Sequence, residues 1–138
     1  MTKSILVIED DSLQAQDLKE LLDKAGFTVG RVISTELEFR RQLADLSANE
    51  YLAAIVDMML RWTDPAPDME MPDPETMREG FYVAGLRCCR RLKERNIPCV
   101  IFTALDAANV PQRPDERFKV LNKSMGGDAL VEEIRRLC

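Results

Sequence analysis

Histidine is missing altogether, and no apolar run approaches the roughly 18 residues that a membrane-spanning helix requires. Cysteine occurs at four positions (Cys88, Cys89, Cys99 and Cys138), with no CxxC pair and no framework spacing. Without imidazole and without paired thiols, structural zinc is not expected. Reduced thiols in a cytoplasmic protein are the simplest expectation. Positive charge is in deficit too: 19 lysines and arginines face 24 acids, a net charge of −5. Phosphate backbones attract a basic field, so no nucleic-acid partner is expected, and the short apolar runs predict no membrane partner. The N-terminus reaches acid directly after Ile5 to Ile8, too soon for a signal peptide. What remains is ordinary for a globular chain, with 46% apolar and 31% charged residues among 138. That length suits one domain over residues 1–138, enough to bury a real core.

Apolar runs and helical repeats alternate along the chain. Residues 3–8 form a short apolar run bounded by charge, as in a strand buried on both faces. Leu18, Leu21, Leu22 and Ala25 then recur at helical spacing, and Gly26 closes the pattern as a glycine just past a helix end does. The β-branched stretch 27–34 predicts a second strand. Thr35 and Glu38 have capping-box spacing ahead of the apolar stripe Phe39, Leu43, Leu46. "YLAAIVD" (51–57), "CVIFT" (99–103) and "RFKVLNK" (117–123) predict three more strands. A helix over 85–95 turns Leu86, Cys89 and Leu92 inward, with Arg87, Arg90, Arg91, Lys93 and Arg95 expected on a solvated face. Leu130, Ile134 and Leu137 mark a closing helix. Strands alternating with helices imply βαβ units and a parallel sheet covered on both faces. Residues 61–79 break the rhythm, with four of the seven prolines and six acids against two arginines. Strand-to-helix connections usually take 2 to about 6 residues, and proline at this density opposes helix interior and ladder pairing alike. An acidic, partly extended inserted loop is expected there.

Charge gathers where the apolar runs end. The first run ends at Glu9-Asp10-Asp11, the third at Asp57, the fourth at Thr103 and the fifth at Lys123. Two like charges about 4 Å apart repel by about 4 kcal/mol at an effective dielectric of 20, so the acidic cluster calls for a cation, a shared proton or solvent. Open α/β sheets bind ligands outside the carboxyl ends of their strands. Two or three acids, a hydroxyl and an ammonium brought to one edge form the inventory for a hard cation and a phosphoryl group. Taken singly, the acids are a solvated turn with a helix cap, Asp57 is a cap, Thr103 a strand threonine and Lys123 a surface lysine. Their joint placement is what favours a site.

The segments "ILVIEDD", "AAIVD", "VIFTA" and "VLNKS" together resemble the four signatures of response-regulator receiver domains, the CheY-like modules of two-component signalling. The resemblance spans the chain apart from residues 61–79. It implies a flavodoxin-like (βα)5 three-layer sandwich, with a five-stranded parallel sheet in order 2-1-3-4-5 and five flanking helices. It further implies that Asp57 is the phosphoacceptor and Asp10 a direct Mg²⁺ ligand. Asp57 and the carbonyl of Met59 would share the ion, and Glu9 would reach it through water. Thr103 and Lys123 would bind phosphoryl oxygens, Ala104 would leave the phosphoryl site open, and Asp11 would fall outside the metal shell at a helix start. The implied partners are a sensor histidine kinase or a histidine phosphotransfer protein. The chain stops at Cys138 without a linker, so output is expected through another protein or through a homodimer. The expected role is a signalling phosphoacceptor rather than an enzyme, limited to self-phosphorylation from small phosphodonors and self-dephosphorylation.

The chain departs from this pattern at defined places. Ser124 follows Lys123 where the family has proline, and a cis bond before a non-proline residue costs roughly 2.5–4 kcal/mol. Val120 holds the place of the family's switch aromatic, with Phe118 two residues earlier. Pro111 and Pro114 sit where the fourth helix belongs, so that helix is expected to be stunted. Met59 and Leu105, two residues after Asp57 and Thr103, cannot orient an attacking water, so slow self-hydrolysis is expected. Met59 also denies an Mg²⁺-dependent phosphohydrolase its second acid. A pseudo-receiver, which binds partners without phosphorylation, is the alternative that the departures favour.

Overall fold

The apolar run at the N-terminus becomes β1 (Ser4–Ile8), the second strand in the sheet, and Ile5 through Ile8 are all fully buried. Alternation explains why the run has no polar face. Leu6 and Ile8 enter one core with Ile33, Phe39, Val56 and Leu86, while Ile5 and Val7 enter another with Leu18, Leu22, Leu130 and Ile134. Each such side chain contributes about 1.5–3 kcal/mol by leaving water. The remaining strands are β2 (Val29–Ile33), β3 (Tyr51–Val56), β4 (Cys99–Thr103) and β5 (Lys119–Asn122). All pair in parallel, in the order β2-β1-β3-β4-β5, as the resemblance implied. This computed structural model describes residues 3–137; Cys138, one of the four thiols, lies outside the described residues.

Helices cover both faces. On one side lie α1 (Ser12–Lys24) and α5 (Gly127–Arg136), which contribute Leu18, Leu22, Leu130 and Ile134 to their core. On the other lie α2 (Glu36–Gln42) and α4 (Ala84–Glu94). Asp11 caps α1, its carboxylate accepting from the N–H groups of Leu13 and Gln14, and those bonds hold its pKa below the ordinary value. Thr35 caps α2 by accepting from Glu38 N–H at 3.2 Å, as the capping-box spacing predicts.

Four expectations are corrected. Residues 61–79 are not wholly a loop, because α3 (Pro74–Glu79) forms within them. Proline is tolerated at the first helical position, where its missing N–H would be unpaired anyway, and Asp73 precedes it. The β4–β5 connection holds no α-helix, only a 3₁₀ turn at Ala107–Asn109, so the fourth crossover helix is absent rather than shortened. The fifth strand is also shorter than 117–123. Gln112 closes a loop on Phe118 by accepting from its N–H at 2.8 Å and donating to its carbonyl at 3.0 Å, and Lys123 already starts a 3₁₀ turn. Finally, Arg87 does not belong to a solvated face. It is 6% exposed and grips Glu36, itself 1% exposed, through two hydrogen bonds of 2.7 and 2.8 Å, with Glu79 of α3 at 3.2 Å. Arg90 likewise forks onto Glu116 at 2.6 and 3.0 Å.

Candidate functional site

Parallel pairing brings the ends of β1, β3, β4 and β5 to one edge of the sheet, and backbone bonds fix the acids there. Glu9 N–H donates to Ile33 carbonyl and Asp57 N–H to Ile8 carbonyl, both at 3.0 Å, which continues the ladder one residue past each strand. Asp57 then turns its Oδ1 to accept Met58 N–H at 2.8 Å. Behind it, Gly85 at the start of α4 donates its N–H to Met58 carbonyl at 2.8 Å. A Cβ on Gly85 would stand 2.0 Å from the Asp57 carbonyl oxygen, so only glycine permits α4 to begin this close.

Among the described residues, Glu9, Asp10 and Asp57 each present a carboxylate oxygen within 4.8 Å of the other two. Lys123 reaches the same cluster from the end of β5. Its Nζ lies 3.0 Å from Glu9 Oε1 and 3.3 Å from Asp57 Oδ2, and it also donates to Gln14 Oε1. Glu9 is 2% exposed, and burial together with its Asp57 neighbour pushes its pKa up to about 7 against the pull of Lys123. For Lys123, burial works downward, but the hydrogen bond to Glu9 and the Asp57 charge outweigh it and raise the pKa. Glu9 Oε2 is buried with no hydrogen-bond partner among the described residues. An acceptor left dry in this way costs about 1–3 kcal/mol or more, and a cation or a proton would relieve it.

The other expected residues stand around this cluster. Thr103 is the last residue of β4, buried, its Oγ1 accepting Leu105 N–H at 3.3 Å. Ala104 is exposed just beyond, and Met59 is exposed beside a cleft of about 640 Å³. That cleft runs from Asp10 and Asp57 to Trp62, Met77 and Phe81 of the long β3–α4 connection. Sequence reasoning missed three neighbours: Gln14 on Lys123, Gly85 behind Asp57, and Arg61. The Arg61 Nη1 lies 3.2 Å from the Asp10 carbonyl oxygen and 4.0 Å from its Oδ2. A glycine opening an amphipathic helix was a readable signal of close approach; the two long polar side chains carried none.

Solved structures share this arrangement of strands and helices. A signal receiver domain of a histidine kinase from Syntrophus aciditrophicus is 24% identical, with a TM-score of 0.67 over 99% of this chain and 89% of that one. A response regulator receiver domain protein (CheY-like) from Methanospirillum hungatei JF-1 is 19% identical, with a TM-score of 0.63 over 99% and 93%. This chain has the receiver-domain fold. A sensor protein from Polaromonas sp. JS666 is also similar, at 22% identity and a TM-score of 0.68 over 99% and 96%. No family model and no curated relative matches the chain. Within the receiver fold the departures are local. No described peptide bond is cis, so Lys123–Ser124 is trans. Phe118 and Val120 are both half-buried against the core that holds Leu105. No helix among the described residues is long and apolar enough to cross a membrane.

Proposed function

We propose that the chain is the phosphoacceptor receiver of a two-component or phosphorelay system, with Asp57 as the residue that carries the phosphoryl group. The observation that supports this most is the convergence of three carboxylates within 4.8 Å, with Lys123 Nζ 3.3 Å from Asp57 Oδ2. The all-oxygen donor set and the unpartnered Glu9 Oε2 fit Mg²⁺, which takes oxygen ligands, usually including one or two carboxylates. Asp10, Asp57, the Met59 carbonyl and, through water, Glu9 would hold the ion. Bound there, it would neutralise charge on the phosphoryl oxygens.

Asp57 is the nucleophile. One of its oxygens attacks the phosphorus of a phosphohistidine, and the imidazole leaves as the P–N bond breaks. Lys123 is already held among three oxygens, so it needs only a small rotation to pair with a phosphoryl oxygen. Thr103 donates its hydroxyl to a second oxygen, and the small Ala104 leaves space for the group. The product adds up to about two negative charges at the edge of the sheet. Moving a switch from 1:99 to 99:1 requires about 5.5 kcal/mol of differential interaction, which the Lys123 and Thr103 contacts must supply. The partners are a sensor histidine kinase or phosphotransfer protein upstream and an output protein or a second copy downstream. The whole described chain forms one domain, in which residues 61–83 are an elaboration of the β3–α4 connection.

A second reading, a phosphorylation-independent interaction module, is favoured by Phe118 and Val120 packing inward, which removes the aromatic switch. Acetyl phosphate or beryllofluoride with Mg²⁺ distinguishes the two. A phosphate-affinity gel shift in the wild type that disappears in Asp57→Asn supports the receiver. No Mg²⁺-dependent change in the wild type promotes the second reading.

A further inference from the structure

Arg61 joins the acidic edge of the sheet to the start of α2. Its N–H donates to Asp10 Oδ2 at 3.4 Å, and its guanidinium covers the Asp10 backbone. Its Nε is at the same time 2.9 Å from Asp64 Oδ1, closer than its Nη1 comes to the Asp10 carboxylate at 4.0 Å. Its backbone is tied to the start of α2, where Glu36 N–H donates to the Arg61 carbonyl at 3.0 Å and Leu37 N–H to the Trp62 carbonyl at 2.8 Å. Trp62 lies under the Arg40 guanidinium at 5.2 Å and donates its Nε1–H to Glu70 carbonyl at 2.7 Å. The Arg61 side chain is 45% exposed and Asp10 28%, so the contact can open without unpacking a core.

We propose that Arg61 is a resident counter-ion competing with the divalent cation for Asp10, so that ion binding breaks its contact with Asp10, leaves it on Asp64 alone and is felt at Trp62. This rests on the metal reading above. The physical ground is that a divalent ion with its waters and a guanidinium cannot both occupy the open side of one carboxylate, and their charges repel. The Arg61 N–H is a neutral donor and can stay. Asp64 holds the guanidinium 4.0 Å from the Asp10 carboxylate; without that anchor Arg61 would settle closer to Asp10, so removing it weakens ion binding. Residues 61–64 thereby tune the affinity of a site to which they contribute no carboxylate.

The test is a Mg²⁺ titration of the full chain at constant ionic strength, followed by calorimetry and by emission of Trp62, the only tryptophan. Arg61→Ala should bind Mg²⁺ about two- to fivefold more tightly, the range for an exposed ion pair. It should also lose most of the Trp62 response while its calorimetric binding persists. Asp64→Asn, a substitution at a side chain 74% exposed that leaves the fold intact, should shift affinity the opposite way, about twofold weaker. Mg²⁺ binding with unchanged affinity in both variants overturns the inference and leaves the metal reading standing. If calorimetry finds no Mg²⁺ binding in the wild type or either variant, both readings fall.

Discussion

The connection after β3 and the connection after β4 leave adjacent strands at the same edge of the sheet and have been treated in opposite ways. The first, residues 57–83, holds α3 and a 3₁₀ turn at Phe81–Val83, and is pinned by ion pairs from Asp73 to Arg40 and from Glu79 to Arg87. The second, residues 104–118, retains only the 3₁₀ turn at Ala107–Asn109 and a side-chain closure by Gln112. The acidic cluster and Lys123 sit between them and are intact. In the proposed receiver, chemistry and read-out are therefore separable. Strand tips carry the acids, while the two connections differ in length and content without disturbing the tips.

Cutting the heavier connection loose from its neighbouring helices should have the largest effect. Arg87→Ala removes the fork on Glu36 and the bond to Glu79, while Arg40 stays 3.1 Å from Glu36, so it should cost about 3 kcal/mol in chemical denaturation, the lower end of the range for breaking a buried pair. On the lighter side, Glu116 accepts from Arg90 and from Arg113 N–H, and these bonds hold its pKa below the ordinary value. Glu116→Ala should cost about 1.5–3 kcal/mol, the scale of hydrogen bonds to a charged group. Equal losses for the two variants would remove the asymmetry between the connections.

The strand tips respond to pH instead. Because the pKa of Glu9 is raised from 4.5 to about 7, its stabilising contribution is complete below pH 4.5 and lost as pH rises through about 7. The stability difference between wild type and Glu9→Gln, measured without Mg²⁺, should change across that window and be flat above it. Mg²⁺ affinity should rise over the same window as the proton leaves. The smallest effect concerns hydrolysis. Met59 and Leu105 offer no polar atom to orient water, so the phosphorylated chain should persist far beyond seconds in a phosphate-release assay, and Leu105→Ala should hardly change its lifetime. A half-life of seconds that lengthens on substituting Leu105 would contradict this reading.

These predictions also mark what could be read from sequence. The parallel sheet and the acidic edge were legible because strands buried on two faces are continuously apolar and their charges mark where they end; the strand order came from the family resemblance. Helix α3 was legible in principle, since Asp73-Pro74-Glu75 is a helix start, but the surrounding prolines masked it. Arg87 was not legible. Its partner Glu36 lies 51 residues earlier, and helical periodicity reports which face is apolar, not that a charge on it meets its opposite across a packed layer. The absent crossover helix was only half legible, because Pro111 and Pro114 oppose a helix without saying what replaces it.

The two amides at the head of α2 carry one last consequence. Glu36 and Leu37 donate to carbonyls of Arg61 and Trp62, from a different part of the chain, where most helices rely on a local cap or water. Trimming residues 61–83 to a tight turn would therefore not be a neutral excision. It would leave both donors without acceptors in a region where Glu36 is shielded from solvent, and a shortened chain would need new oxygens at those positions before α2 could start in the same place.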